Sequence, residues 1–157
     1  MITSLIIQKA TLEDIPVMQS LFVDTIYSIN IKDYTSEQLY AWTSSANNTD
    51  LWIKRFIESQ YCLIATIDNI LVGFASLDHD YIDMMYVHKD YQGQGIGRSL
   101  INELLNKALK ENLEIIYADV STTAIPFFER MGWEIVDRNV WKIEGVEGVN
   151  WRMRKGL

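Results

Sequence analysis

The sequence predicts one α/β domain: a mixed, largely antiparallel central sheet with helices on both faces. Three observations predict it. Helical and strand-like periods succeed one another along the chain as a strand, two or three helices, three strands, a helix, a strand, a helix and two strands. The composition, 48% hydrophobic and 22% charged over 157 residues, suits one well-filled core. No repeat, low-complexity stretch or linker divides the chain, so residues 1–157 read as a single domain.

The elements follow in order. "SLIIQKA" is the first strand. In "TLEDIPVMQSLFVDTIYSI", Ile15, Met18, Leu21, Phe22, Thr25 and Ile26 share one helical face, with Thr11 and Asp14 as a capping pair and Pro16 in the first turns. A short helix is expected at Ser36–Trp42, a loop at Thr43–Asp50 and another short helix at "LWIKRFIES". The period then changes to strands in "QYCLIATID", "NILVGFASLD" and "DYIDMMYVH", the first two joined by an Asp68-Asn69 hairpin turn. "IGRSLINELLNKALKEN" carries a 3.6-period stripe from Ile96 to Leu109. "LEIIYADV" reads as a buried strand, and "TTAIPFFERM" as a short helix ended by Gly132. "WEIVDRNVWKI" and "VNWRMRK" are the last strands, around a turn from Gly145 to Gly148.

The stretch "YQGQGIGRSL" demands a chemical reason. Glycine in a helix costs roughly 1 kcal/mol relative to alanine, yet Gly93, Gly95 and Gly97 crowd this helix entrance. A helix start offers unpaired N–H groups and partial positive charge, and glycine lets a phosphate approach them. Arg98 adds charge, and Gln92 and Gln94 add polar groups. A P-loop would need Lys before Ser or Thr, where Arg98 stands; a dinucleotide fingerprint would need glycine at that same position.

Composition narrows the partners. A net charge of −7 disfavours nucleic acid and suits cationic partners such as amines. Cys62, the single cysteine, reads as a buried thiol, and one Cys with two His (His79, His88) does not suggest a metal centre. His79 reads as an exposed turn residue and His88 as a solvated loop residue. "MITSLIIQKA" lacks a signal-type pattern and no apolar run reaches membrane-spanning length, so a cytoplasmic protein without membrane partners is expected.

"DMMYVHKDYQGQGIGRSLINELL" resembles the acetyl-coenzyme A signature of the GNAT (GCN5-related N-acetyltransferase) family, with Gln92, Gly95 and Gly97 on its fixed positions and Val87 ending the strand five residues earlier. "STTAIPFFERMGW" is similar to the family's second landmark, with Gly132-Trp133 in place of Gly-Phe. The resemblance implies about seven strands and about four helices, with two adjacent strands splayed to admit acetyl-coenzyme A. It implies cofactor contacts from the backbone of Met85, Tyr86 and Val87. It also implies contacts from amides of Gln92, Gly93, Gln94, Gly95, Ile96, Gly97 and Arg98, and from Ser121 where the family often has asparagine.

By the same resemblance the acceptor is a small-molecule or protein amine, and a homodimer is possible by family habit. Asp83 is the expected general base, because the family often has a carboxylate on this strand. The family's usual acid, a tyrosine, falls on Phe128, which has no proton to give. Tyr117 and Tyr86 are distant substitutes. That gap keeps a rival alive: an acyl-coenzyme A-binding module with little catalysis. Tyr27, Tyr34, Tyr40, Trp42 and Trp52 crowd the acceptor region, read first as packing and second as a cage for a cation.

Overall fold

A computed structural model describes residues 4–157; Met1, Ile2 and Thr3, the start of the stretch read for a signal pattern, lie outside them. Seven strands form one sheet: β1 (Leu5–Lys9), β2 (Tyr61–Ile67), β3 (Ile70–Asp78), β4 (Tyr81–Val87), β5 (Ile115–Ser121), β6 (Glu134–Ile143) and β7 (Val146–Gly156), in the spatial order β1-β2-β3-β4-β5-β7-β6. Every neighbouring pair is antiparallel except β4 and β5.

Five helices cover the two faces. α1 (Ile15–Ile29), α2 (Ser36–Trp42) and α3 (Thr49–Trp52) lie on one side, and α4 (Ile96–Lys110) and α5 (Ile125–Arg130) on the other. The α1 face buries the six residues its periodicity predicts, and the Thr11 N–H donates to the Asp14 carboxylate at 2.8 Å. The α4 face buries Ile96, Leu100, Ile101, Leu104 and Ala108, while Leu109, the expected end of the stripe, turns out to solvent at 52% exposure.

Turn chemistry behaves as the sequence implies at two places. Asp68 and Asn69 both take positive φ, 50° and 66°, the geometry that suits the twist of a two-residue hairpin. Gly132, at φ 88°, ends α5.

Two segments differ from expectation. Thr43–Asp50 is not a loop: a 3₁₀ turn spans Ser44–Asn47, and α3 starts at Thr49, where the Asn48 side chain accepts from the Leu51 N–H. Trp52 is fully buried and donates from Nε1 to the Ser45 carbonyl, so the core pulls this segment inward. α3 then runs into π-wound turns at Ile53–Ser59, closed by Gln60 N–H to Arg55 O. The last hairpin turns at Glu144 and Gly145, both with positive φ, rather than over Gly145 to Gly148. Gly148 is a strand residue, and the indole of Trp141 takes the place of its side chain: a Cβ there would sit 2.0 Å from the ring.

Candidate active site

The site begins with a defect in the sheet. β4 and β5 pair only at Tyr81↔Tyr117 and Ile82↔Ala118, and above those pairs the strands part. β5 continues against β7 up to Ser121, and β4 against β3 up to Val87, so each keeps one unzipped edge. A single cavity of about 720 Å³ fills the gap. It runs through the sheet, from Gly95 and Arg98 on the α4 side to Arg55 and Trp141 on the α1 side.

Main-chain orientation along β4 alternates. His88 N–H bonds to Val72 O, which makes Tyr86 and Phe74 a hydrogen-bonded pair and turns the peptide groups of Met85 and Val87 toward the gap. The Val87 carbonyl accepts from Gln92 Nε2 at 2.6 Å and from Thr25 Oγ1 at 3.4 Å. Gln92 therefore ties the glycine loop to the strand end with its side chain. His88 is less solvated than expected: its Nδ1 accepts from Asp90 N–H and starts the turn Lys89–Tyr91. His79 stands in a turn at φ 57° with its ring almost fully exposed.

The three glycines serve two different ends. Gly93 and Gly95 have φ of 73° and 83°, and a Cβ on either would meet nothing within 4 Å, so their need is conformational. Gly97 has helical φ, but its Cβ would lie 3.1 Å from the Phe127 ring and 3.6 Å from Met85 Sδ; it lets α5 and β4 close on the helix. Arg98 is exposed at this mouth and has no acidic partner among the described residues.

The opposite mouth is made of side chains. A β-bulge sits at Asp83: Leu77 pairs with Ile82, and Ser76 with Met84. The extra residue lets Ile82 face the α4 core while Asp83 and Met84 both face the α1 side. Asp83 Oδ2 accepts from Arg55 Nη2 at 2.5 Å and from Gln60 Nε2 at 2.8 Å. Arg55 lies within the π turns and Gln60 closes them, its N–H bonded to the Arg55 carbonyl, which sets the two donors one π turn apart. Asp83 Oδ1 has no donor among the described residues.

Below it, at the point of the splay, Asp119 is fully engaged. Arg152 donates to both of its oxygens at 2.6 and 3.1 Å, Tyr81 Oη at 3.0 Å and Asn139 Nδ2 at 2.9 Å. Burial works against this carboxylate's charge, but the donors prevail and hold it below the usual range. Burial first, then Asp119, pushes the Tyr81 phenol well above its ordinary value; burial does the same to Tyr86, so both are neutral at pH 7. Cys62 lies outside the cavity, and burial pushes its thiol up to about 12, so it stays protonated.

Ser121, at the tip of β5, accepts through Oγ from Asn30 Nδ2 at 3.3 Å and from Ala124 N–H at 3.2 Å. Its hydroxyl proton is left to donate into the cavity. Phe128 is 4% exposed, packed edge-on against Phe127 and Trp133. Of the five aromatics expected near the acceptor, Tyr34 and Trp42 line the cavity. Trp52 belongs to the core, and Tyr27 and Tyr40 are exposed. Sequence reading missed Arg55, Gln60, Asp119, Arg152, Asn30 and Trp141. Each acts through a partner 20 or more residues away, except that Trp141 reaches its glycine across a hairpin. Tyr117 does not line the cavity. No helix among the described residues is long and apolar enough to cross a membrane.

Comparison with known proteins agrees with this architecture. A family model described as an acetyltransferase (GNAT) domain matches residues 30–155. The N-acetyltransferase YafP of Escherichia coli is 30% identical, with 86% of this chain and 85% of YafP covered. A GCN5-related N-acetyltransferase structure from Rhodopseudomonas palustris superposes with a TM-score of 0.96 at 35% identity, covering 100% of this chain and 98% of that one. The PaiA N-acetyltransferase of Thermoplasma acidophilum, solved with coenzyme A, shares the fold at a TM-score of 0.81 and 18% identity, covering 99% and 100%.

Proposed function

The chain belongs to the GNAT acetyltransferase family, and from that premise we propose that it moves an acetyl group from acetyl-coenzyme A to a primary amine by direct attack inside the splayed cleft. The observation that carries this reading is the cavity that runs through the sheet, with main-chain donors at one mouth and a half-engaged carboxylate at the other. The glycine loop suits a diphosphate: Gly93 and Gly95 are open on the side a Cβ would occupy, and Arg98 is uncommitted.

Acetyl-coenzyme A supplies an acyl group activated as a thioester. Amides of residues 92–98, from Gln92 through Gly93, Gln94, Gly95, Ile96 and Gly97 to Arg98, hold its diphosphate. Met85, Tyr86 and Val87 offer the pantetheine arm a strand edge, chiefly through the peptide groups of Met85 and Val87. Ser121 donates its hydroxyl proton to the same arm.

Asp83 accepts one proton from the incoming ammonium on Oδ1, while Arg55 and Gln60 fix the carboxylate through Oδ2. The freed amine nitrogen bonds to the thioester carbonyl carbon, and a β4 N–H stabilises the oxyanion; such a donor contributes on the order of 100-fold in rate. The C–S bond then breaks. The departing thiolate takes the second amine proton, so no separate acid is needed at Phe128, and Asp83 returns its proton to water. Release of free thiol from acetyl-coenzyme A, dependent on an added amine, tests this. Tight coenzyme binding with no amine-dependent release would make the protein a binding module.

A further inference from the structure

The whole chain carries −7, yet the acceptor mouth does not. Asp83 is paired with Arg55 and Asp119 with Arg152, so the two carboxylates there are neutralised by side chains of the protein itself. Of the charged residues that line this mouth, the one left over is Lys32, exposed on the rim and without an ion-pair partner among the described residues; the Asp33 carboxylate beside it lies off the lining and accepts from Thr123 Oγ1 at 2.7 Å. A second ammonium inside the cavity would find no lining carboxylate free of an arginine and would meet Lys32.

The walls are aromatic instead. Tyr34 and Trp42 stand edge to face with centroids 5.2 Å apart, and Trp42 and Trp141 lie 6.5 Å apart at 48°. Trp141 holds its position because Gly148 gives up its side-chain space to the indole.

From this we infer that the acceptor is a primary monoamine on a flat aromatic body, rather than a polyamine or a lysine in a basic peptide. This rests on the acetyl-transfer reading. The amine enters toward Asp83 Oδ1, and the ring lies against Trp42 and Trp141. Ring-on-ring contact adds to plain burial, so removing the Trp141 indole raises KM for such an amine about tenfold.

The experiment measures acetyl-coenzyme A binding by calorimetry and thiol release with tryptamine, tyramine, spermidine and a lysine-containing basic peptide. Expected is the highest kcat/KM for an arylalkylamine. Trp141→Ala should raise KM for that amine about tenfold with the KM for acetyl-coenzyme A unchanged, and Trp141→Phe should recover most of the loss. Higher kcat/KM for spermidine or the peptide overturns this inference and leaves acetyl transfer standing. So does an unchanged amine KM in Trp141→Ala. Coenzyme binding with no turnover of any amine overturns both, and failure to bind the coenzyme removes the premise itself.

Discussion

The two mouths of the cleft are built by opposite means. On the α4 side the groups belong to the main chain and lie within one run, residues 92–98, whose shape is set by two positive φ angles and one close helix approach. On the α1 side the groups are side chains drawn from α2, the π turns, β4, β5, β6 and β7, and the charged ones are held by other side chains. A backbone-made site reads a ligand feature that every coenzyme molecule shares. A side-chain-made site can be changed residue by residue, which is where a family varies its acceptor.

Substitutions can break this contrast at either end. The largest effect is expected at the side-chain mouth. Asp83→Asn should lower kcat/KM about 100- to 1,000-fold while coenzyme affinity stays put, because general base catalysis contributes on that order. The deficit should close as pH rises toward the amine's own pKa, since the free amine then needs no base; a pH–rate profile parallel to wild type removes Asp83 from the proton transfer.

At the backbone mouth, Gly95→Val forces a β-branched residue to φ 83°. The strain, about 1–3 kcal/mol, should cost tenfold to a hundredfold in coenzyme affinity by calorimetry, with circular dichroism unchanged. Gly95→Asn should lose less, because asparagine tolerates this region; equal loss from both would show that space, not conformation, requires the glycine.

A smaller effect sharpens the comparison. Gly148→Ala puts a methyl where the Trp141 ring lies and displaces it. KM for the amine should rise about fivefold, near 1 kcal/mol, with coenzyme affinity unaffected. Smallest is Arg152→Gln, at the floor of the cleft. Arg152 is 42% exposed, so its loss should lower stability by only about 1 kcal/mol at neutral pH. Asp119 has a folded-state pKa below its unfolded one, so its contribution is present above the ordinary carboxylate range and is lost as pH falls through the folded value. The stability gap between wild type and variant should therefore shrink below about pH 4, as urea melts at two pH values would show.

Local chemistry made much of the fold legible. The α1 face, the Asp68-Asn69 turn, the Gly132 stop and the α4 stripe each depend on residues within a few positions of one another, and each is found, the stripe as far as Ala108. Thr43–Asp50 was opaque because its polar residues stay largely exposed, and its winding is fixed by Ala46 and Trp52, whose burial only tertiary contact supplies. Asp83 could be singled out by family resemblance, but not the bulge that turns it beside Met84. Trp141 was passed over because nothing within its strand marks Gly148 as the partner that admits it.

The sequence by itself determined the order of elements, the family and the glycine loop, since periodicity, turn preference and positive φ are properties of neighbours along the chain. Only the tertiary structure decided where β4 leaves β5, which oxygen of Asp83 stays open, and that the cleft of an acidic protein has its two lining carboxylates each paired with an arginine. Those depend on side chains brought together from distant segments, and Coulomb energy and ring packing act on distance in space, not on separation in sequence.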